Sequence, residues 1–200
     1  MTSLATHYVQ FQCLPDGQIS TGFLMGRLMH ALHLTMVNCK TDDGHSPFGL
    51  TFPNHQSAPG TTEGTPIGHT IRMFARDEQS INDVTWAESM AGLTDYVHRT
   101  SVRSVGEVDR YAIYRRRQFA GSPEKLIRRA IKRHGLTETE AIERYADYRP
   151  PKANLPFVQM RSDSSQKRFR LYIERTESPP TGQWQFTTYG LSTETALPEF

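Results

Sequence analysis

Cysteine is scarce in this 200-residue chain. Cys13 and Cys39 are the whole supply, at a spacing that suits neither a metal nor an obvious pairing. Both read as reduced thiols, which excludes a disulfide-stapled extracellular scaffold. No apolar run approaches the roughly 18 residues that a spanning helix needs, so no membrane partner is expected. The N-terminus carries no charged-then-apolar leader, and the expected address is cytoplasmic. Eight histidines are present without an HExxH or similar arrangement, so no metal site is expected. The chain also lacks a P-loop and a GxGxxG turn, and no cofactor is expected.

Acid is missing from one stretch in particular. Between Arg110 and His134 nine Lys or Arg face a single carboxylate, Glu124, a local balance of +8 in a chain whose total is +2. Such a segment on an otherwise mildly acidic protein is the footprint of a phosphate-backbone binder. Lys125, Arg128, Arg129, Lys132 and Arg133 recur at i, i+3, i+4, i+7 and i+8, which places all five on one side of a helix. Leu126, Ile127, Ala130 and Ile131 fall opposite and are expected to anchor it. Ser122 suits the N-cap, Pro123 the first helical position and Gly135 the stop. Just upstream, Tyr111, Tyr114 and Phe119 interleave with Arg115, Arg116 and Arg117, a mixture suited to base stacking together with phosphate contact.

The remaining elements follow from periodicity. His7 to Cys13 alternates as a strand, Ile19 to Val37 has helical spacing, and Phe48 to Phe52 is a short strand. Ser57 to Pro66 reads as a hairpin loop, Ile67 to Ala75 as a strand, Asp77 to Met90 as a helix, and Tyr96 to Val105 as a strand. That order is βαββαβ, the ferredoxin-like pattern. Past a boundary near Gly106 come a strand, Arg110 to Gln118, the cationic helix, and a helix opened by a Thr137–Glu140 capping box and ended by Pro150 and Pro151. Three further strands are expected at Phe157–Arg161, Arg168–Glu174 and Gln183–Thr188. The expected class is α+β: a ferredoxin-like domain at 1–106, then a region at 107–200 with an arginine-rich helix and a small antiparallel sheet.

Several of these segments resemble one known family. Leu155-Pro-Phe-Val-Gln-Met-Arg-Ser-Asp-Ser, Phe169-Arg-Leu-Tyr-Ile and Phe186-Thr-Thr-Tyr-Gly-Leu-Ser are similar to the CRISPR-associated endoribonucleases of subtype I-F. The likeness continues in Arg116-Arg-Gln118, Ser122-Pro-Glu, Arg128-Arg129 and Arg133-His134, and in Pro15-Asp16, Leu32-His33 and Gly49-Leu-Thr-Phe-Pro53. It implies metal-independent cleavage of CRISPR precursor RNA at the base of the repeat stem-loop. The product would carry a 2′,3′-cyclic phosphate, with the enzyme retained on the 3′ hairpin of the guide. The implied partners are the repeat RNA hairpin and other subunits of the type I-F interference complex.

Carried over by position, the resemblance implies His33 as general base, with His30 one turn earlier as the alternative. Histidine suits that task because its side-chain pKa in short peptides is about 6.5. Ser162 would hold the attacked 2′-OH and Tyr189 would position His33 or the ribose, while Ser164 reads as a turn polar. The stripe Arg128, Arg129, Lys132 and Arg133 would track stem phosphates. Arg116 and Gln118 would read bases, since Arg pairs with guanine O6 and N7 and Gln with adenine N6 and N7. Phe169 would stack on the terminal base pair. Two other readings fit the residues alone: a non-catalytic RNA-hairpin-binding subunit, and a helix-turn-helix DNA regulator, although its cations would sit on the first helix rather than the second.

Overall fold

Alternation builds the first strand, β1 (His7–Cys13), which buries Val9, Phe11 and Cys13 on one face. In the computed structural model, which describes residues 4–55, 67–119, 123–149 and 154–200, this strand is central to the first of two antiparallel sheets. Helix α1 (Thr21–Asn38) follows, its first turn capped by the Ser20 hydroxyl accepting from the Phe23 N–H at 3.3 Å. Its inner face buries Leu24, Met25, Leu28, Met29, Leu32 and Met36. Each such side chain contributes about 1.5–3 kcal/mol of transfer free energy. Strands β2 (Gly49–Thr51) and β3 (Thr70–Ala75), short helices α2 (Glu78–Asn82) and α3 (Trp86–Ser89), and strands β4 (Val97–Arg99) and β5 (Arg103–Ser104) complete this half. The sheet order is β2-β3-β1-β4, with β5 also paired to β1.

Two elements are broken where periodicity suggests continuity, and side chains cause both breaks. The expected helix from Asp77 to Met90 starts as anticipated, with Asp77 Oδ1 accepting from the Ser80 N–H at 2.7 Å. It stops at Asn82 because the Trp86 indole donates to the Ile81 carbonyl at 3.0 Å, the acceptor a continuing helix would offer to residue 85. The expected strand from Tyr96 to Val105 divides at Thr100, whose hydroxyl accepts from the Gln10 N–H at 3.1 Å in place of a backbone partner.

The second sheet has the order β7-β8-β6-β9, from β6 (Arg110–Arg117), β7 (Phe157–Arg161), β8 (Arg168–Glu177) and β9 (Leu197–Glu199). The strand expected at Gln183–Thr188 is absent. Trp184 and Phe186 do pack together, but the backbone there makes only an isolated bridge from Phe186 to Ser46 before turning. The fourth strand is instead β9, a proline-containing segment on the edge of β6. Buried side chains from both sheets form one core, in which Phe11 and Leu28 share a cluster with Tyr114, Met160 and Leu171.

Between β6 and β7 lie α4 (Pro123–His134) and α5 (Glu138–Tyr145), which pack chiefly on each other. The Thr137–Glu140 capping box is formed and Gly135, at φ 65°, closes α4. The anchoring face is thinner than expected. Ala130 and Ala141 are the buried residues of the pair, and Ile131 is 37% exposed. Ser122, the 57–66 loop and Pro150–Pro151 lie outside the described residues. Both cysteines are free, and burial pushes the Cys13 thiol up to about 11. Among the described residues, no helix is long and apolar enough to cross a membrane.

Candidate active site and nucleic-acid interface

Close approach of α1 to the second sheet fixes the site. A Cβ on Gly26 would lie 2.3 Å from the Gln159 carbonyl oxygen, so glycine alone lets the helix settle against β7. Two turns further along α1, half-buried His33 emerges at the rim of the core. Its Nδ1 lies 2.8 Å from the Thr188 carbonyl oxygen. A carbonyl can only accept, so Nδ1 carries the proton and Nε2 is left as the basic nitrogen of the neutral ring. The Tyr189 ring stacks on the imidazole with centroids 4.0 Å apart and planes 3° from parallel.

The segment that supplies both contacts is a tight turn. Thr187 N–H donates to the Leu191 carbonyl at 2.9 Å, Gly190 N–H donates back to Thr187 at 2.8 Å, and Gly190 takes φ 67°. That left-handed conformation favours glycine. Leu50 N–H donates to the Gly190 carbonyl at 2.8 Å, tying the turn to the first sheet. Thr188 contributes through its backbone and Tyr189 through its ring.

Arg116 extends the stack. Alternation along β6 puts it on the same face as buried Ala112 and Tyr114, and its guanidinium lies 5.6 Å from the Tyr189 centroid and 5.9 Å from that of Phe169. Its neighbours differ: Arg115 and Arg117 both engage Glu174, the latter at 3.5 Å. His33, Tyr189, Arg116 and Phe169, chosen from four separate stretches of sequence, thus form one rim of imidazole, phenol, guanidinium and phenyl. Gln118 follows β6 and is exposed.

Ser162 sits at the start of the β7–β8 turn. Its hydroxyl lies 3.2 Å from that of Ser164 and accepts from the Ser165 N–H at 3.3 Å. Among the described residues it makes no hydrogen bond to His33. His30 points elsewhere than His33, with Nε2 3.5 Å from the Asp163 carboxylate in the same turn. Arg128, Arg129, Lys132 and Arg133 are all exposed along α4. The orienting Thr188 carbonyl escapes sequence reading because it is a backbone atom, and the His30–Asp163 contact escapes it because the partners are 133 positions apart.

A family model described as CRISPR-associated protein (Cas_Csy4) matches residues 8–200. The CRISPR-associated endonuclease Cas6/Csy4 of Escherichia coli (strain UTI89 / UPEC) is 33% identical over 199 residues, covering 97% of this chain and 99% of that one. The protein of the same description from Pseudomonas aeruginosa (strain UCBPP-PA14) is 30% identical over 197 residues, with the same coverage of both chains. A solved structure described as an RAMP protein binding different RNA substrates aligns over 96% of this chain at 12% identity, but with a TM-score of 0.35 it carries no argument.

Proposed function

Because the chain belongs to the CRISPR-associated Csy4 family, we propose that it is a metal-independent endoribonuclease that cuts CRISPR precursor RNA at the base of the repeat stem-loop. The observation that carries this reading is the oriented imidazole of His33, with Nδ1 donating to Thr188 and the ring stacked on Tyr189. Nε2 takes the proton of the 2′-OH, the resulting oxygen attacks the adjacent phosphorus, and the 5′ oxygen leaves and takes up a proton from solvent. The products are a 2′,3′-cyclic phosphate and a 5′-OH. The positive charge that the imidazole gains meets the π face of Tyr189 and the Thr188 carbonyl dipole, both already in place.

Substrate placement follows from the same rim. Phe169 offers a stacking surface for the terminal base pair, with Arg116 beside it and Gln118 beyond as base readers. Ser162 orients the attacked ribose from the β7–β8 turn. Arg128, Arg129, Lys132 and Arg133 line one exposed side of α4 for the stem phosphates. The first half is best read as a ferredoxin-like domain, a reading supported by its β2-β3-β1-β4 order with helices after β1 and β3. With these contacts the protein remains on the 3′ hairpin after cutting and enters the interference complex with the guide.

The test is incubation of purified protein with a labelled repeat hairpin in EDTA, beside His33→Ala. Cutting at the base of the stem by wild type is expected, falling by about 10²-fold or more in the variant while hairpin affinity is kept. Binding without cutting by wild type would replace the nuclease with a guide-capping module. A 2′-deoxy nucleotide at the cut site must abolish cleavage by this mechanism.

A further inference from the structure

We propose that the groove between α1 and the β7–β8 turn holds the nucleotides on the 3′ side of the scissile phosphate, the strand released by cleavage. This rests on the assignment of His33 as the base acting at that phosphate. The groove encloses about 630 Å³ and is walled by α1 from Ser20 to His30 and by β7, β8 and their turn. That volume lies in the ~300–1,000 Å³ range of built ligand sites. It begins at His30, three residues from His33 and therefore about 4.5 Å along the helix axis. The stem has its surface in Phe169, Arg116 and α4. Of the two strands that leave the foot of the stem, the one continuing past the cut begins at the phosphate His33 acts on, and the groove adjoins that starting point.

The lining fits a nucleotide chain. Arg161 and Arg168 are directly opposite in the β7–β8 ladder. Like charges so placed destabilise a strand pair, and among the described residues no carboxylate lies within ion-pair distance of either. Arg27 faces them from α1, exposed and likewise unpaired. The one acid of the lining, Asp163, is turned towards His30 at 3.5 Å. Three arginines against one occupied carboxylate make an anionic ligand the natural occupant. Phe23, 60% exposed and the most exposed large hydrophobic residue described, stands on the same wall. An aromatic face among cations is how single strands are held without regard to sequence, by stacking bases and tracking phosphates.

The experiment compares hairpins ending one nucleotide past the cut with hairpins carrying six, each with a 2′-deoxy cut site for affinity and an unmodified one for single-turnover cleavage. Wild type is expected to bind the longer RNA about tenfold more tightly. The Phe23→Ala/Arg27→Ala double variant should lose that gain while binding and cutting the short hairpin as wild type does. Both side chains are exposed, so the fold is kept. No gain from the 3′ extension, or a gain the variant retains, would overturn the proposal. So would a variant-sensitive gain that appears only with a 5′ extension. Failure of wild type to cut the short hairpin would instead refute the catalytic reading on which the proposal rests.

Discussion

Tyr189 shows how one ring can serve two neighbours. It is stacked on His33 at 4.0 Å and shares its π system with the Arg116 guanidinium at 5.6 Å, and no hydrogen bond from its hydroxyl is seen among the described residues. The role assigned to it here is therefore a property of the ring. Aromatic pairs contribute about 0.5–1.5 kcal/mol beyond their buried area, so Tyr189→Leu should lower the single-turnover cleavage rate by up to about tenfold. Tyr189→Phe should stay near wild type. If phenylalanine falls as far as leucine, the hydroxyl takes part in the chemistry and the positioning role is wrong. The proposal of His33 came from the resemblance, through its Leu-His context and its distance from Pro15-Asp16, because a lone histidine on an amphipathic helix carries no catalytic mark of its own. Its orientation was not legible, because a carbonyl from residue 188 has no side-chain signature.

At the scale of elements, legibility followed the source of the pattern. β1, β6, β7 and α1 bury one face against a core, so period 2 or period 3.6 marks them within a residue or two. The run from Gln183 to Thr188 alternates just as well, because Trp184 and Phe186 are turned inward, yet it forms no ladder. Alternation reports burial, whereas a strand also needs a partner edge, and β6 has given that edge to Leu197–Glu199. The three residues of β9, with Pro198 at their centre, are too few to carry a period. α4 was legible through its Gly135 stop and its charge rather than through its core face, where Ala130 alone is buried. A helix held so lightly contributes little to the core and is free to serve its cationic side. Replacing Arg128, Arg129, Lys132 and Arg133 together by alanine should flatten the plot of log affinity for the hairpin against log salt. The expected loss of slope is about 0.7–0.9 per phosphate contact removed, with the melting temperature little changed. An unchanged slope with a lower melting temperature would make the stripe structural.

Across the whole molecule, the two sheets share a core, and around a cavity of about 220 Å³ one polar contact joins the two halves while a second cluster knits the strands of the second sheet to each other. His55, from the first half, donates through Nε2 to the Ile173 carbonyl of β8 at 3.0 Å. Glu199, on β9, accepts from Tyr114 of β6 at 2.6 Å and is gripped by the Arg175 fork of β8. Both places lose stability in acid, for different reasons. Burial holds the His55 pKa below its ordinary value, helped to a lesser degree by the nearby Arg175 charge. The unfolded chain therefore takes up a proton first. Stability is complete above about pH 6.5 and declines as pH falls through the window between that value and the depressed native one. Burial alone would raise the Glu199 pKa, but the bonds from Arg175 and Tyr114 outweigh it and leave the carboxyl below its usual range. Its contribution is present above about pH 4.3 and is lost as pH drops through its lower native value. Urea midpoints measured from pH 8 to pH 3 should thus fall in two stages. His55→Gln is expected to flatten the first and spare the second, and Glu199→Gln to do the reverse at lower overall stability. If His55→Gln keeps the wild-type decline that begins below about pH 6.5, another group controls the first stage of acid destabilisation.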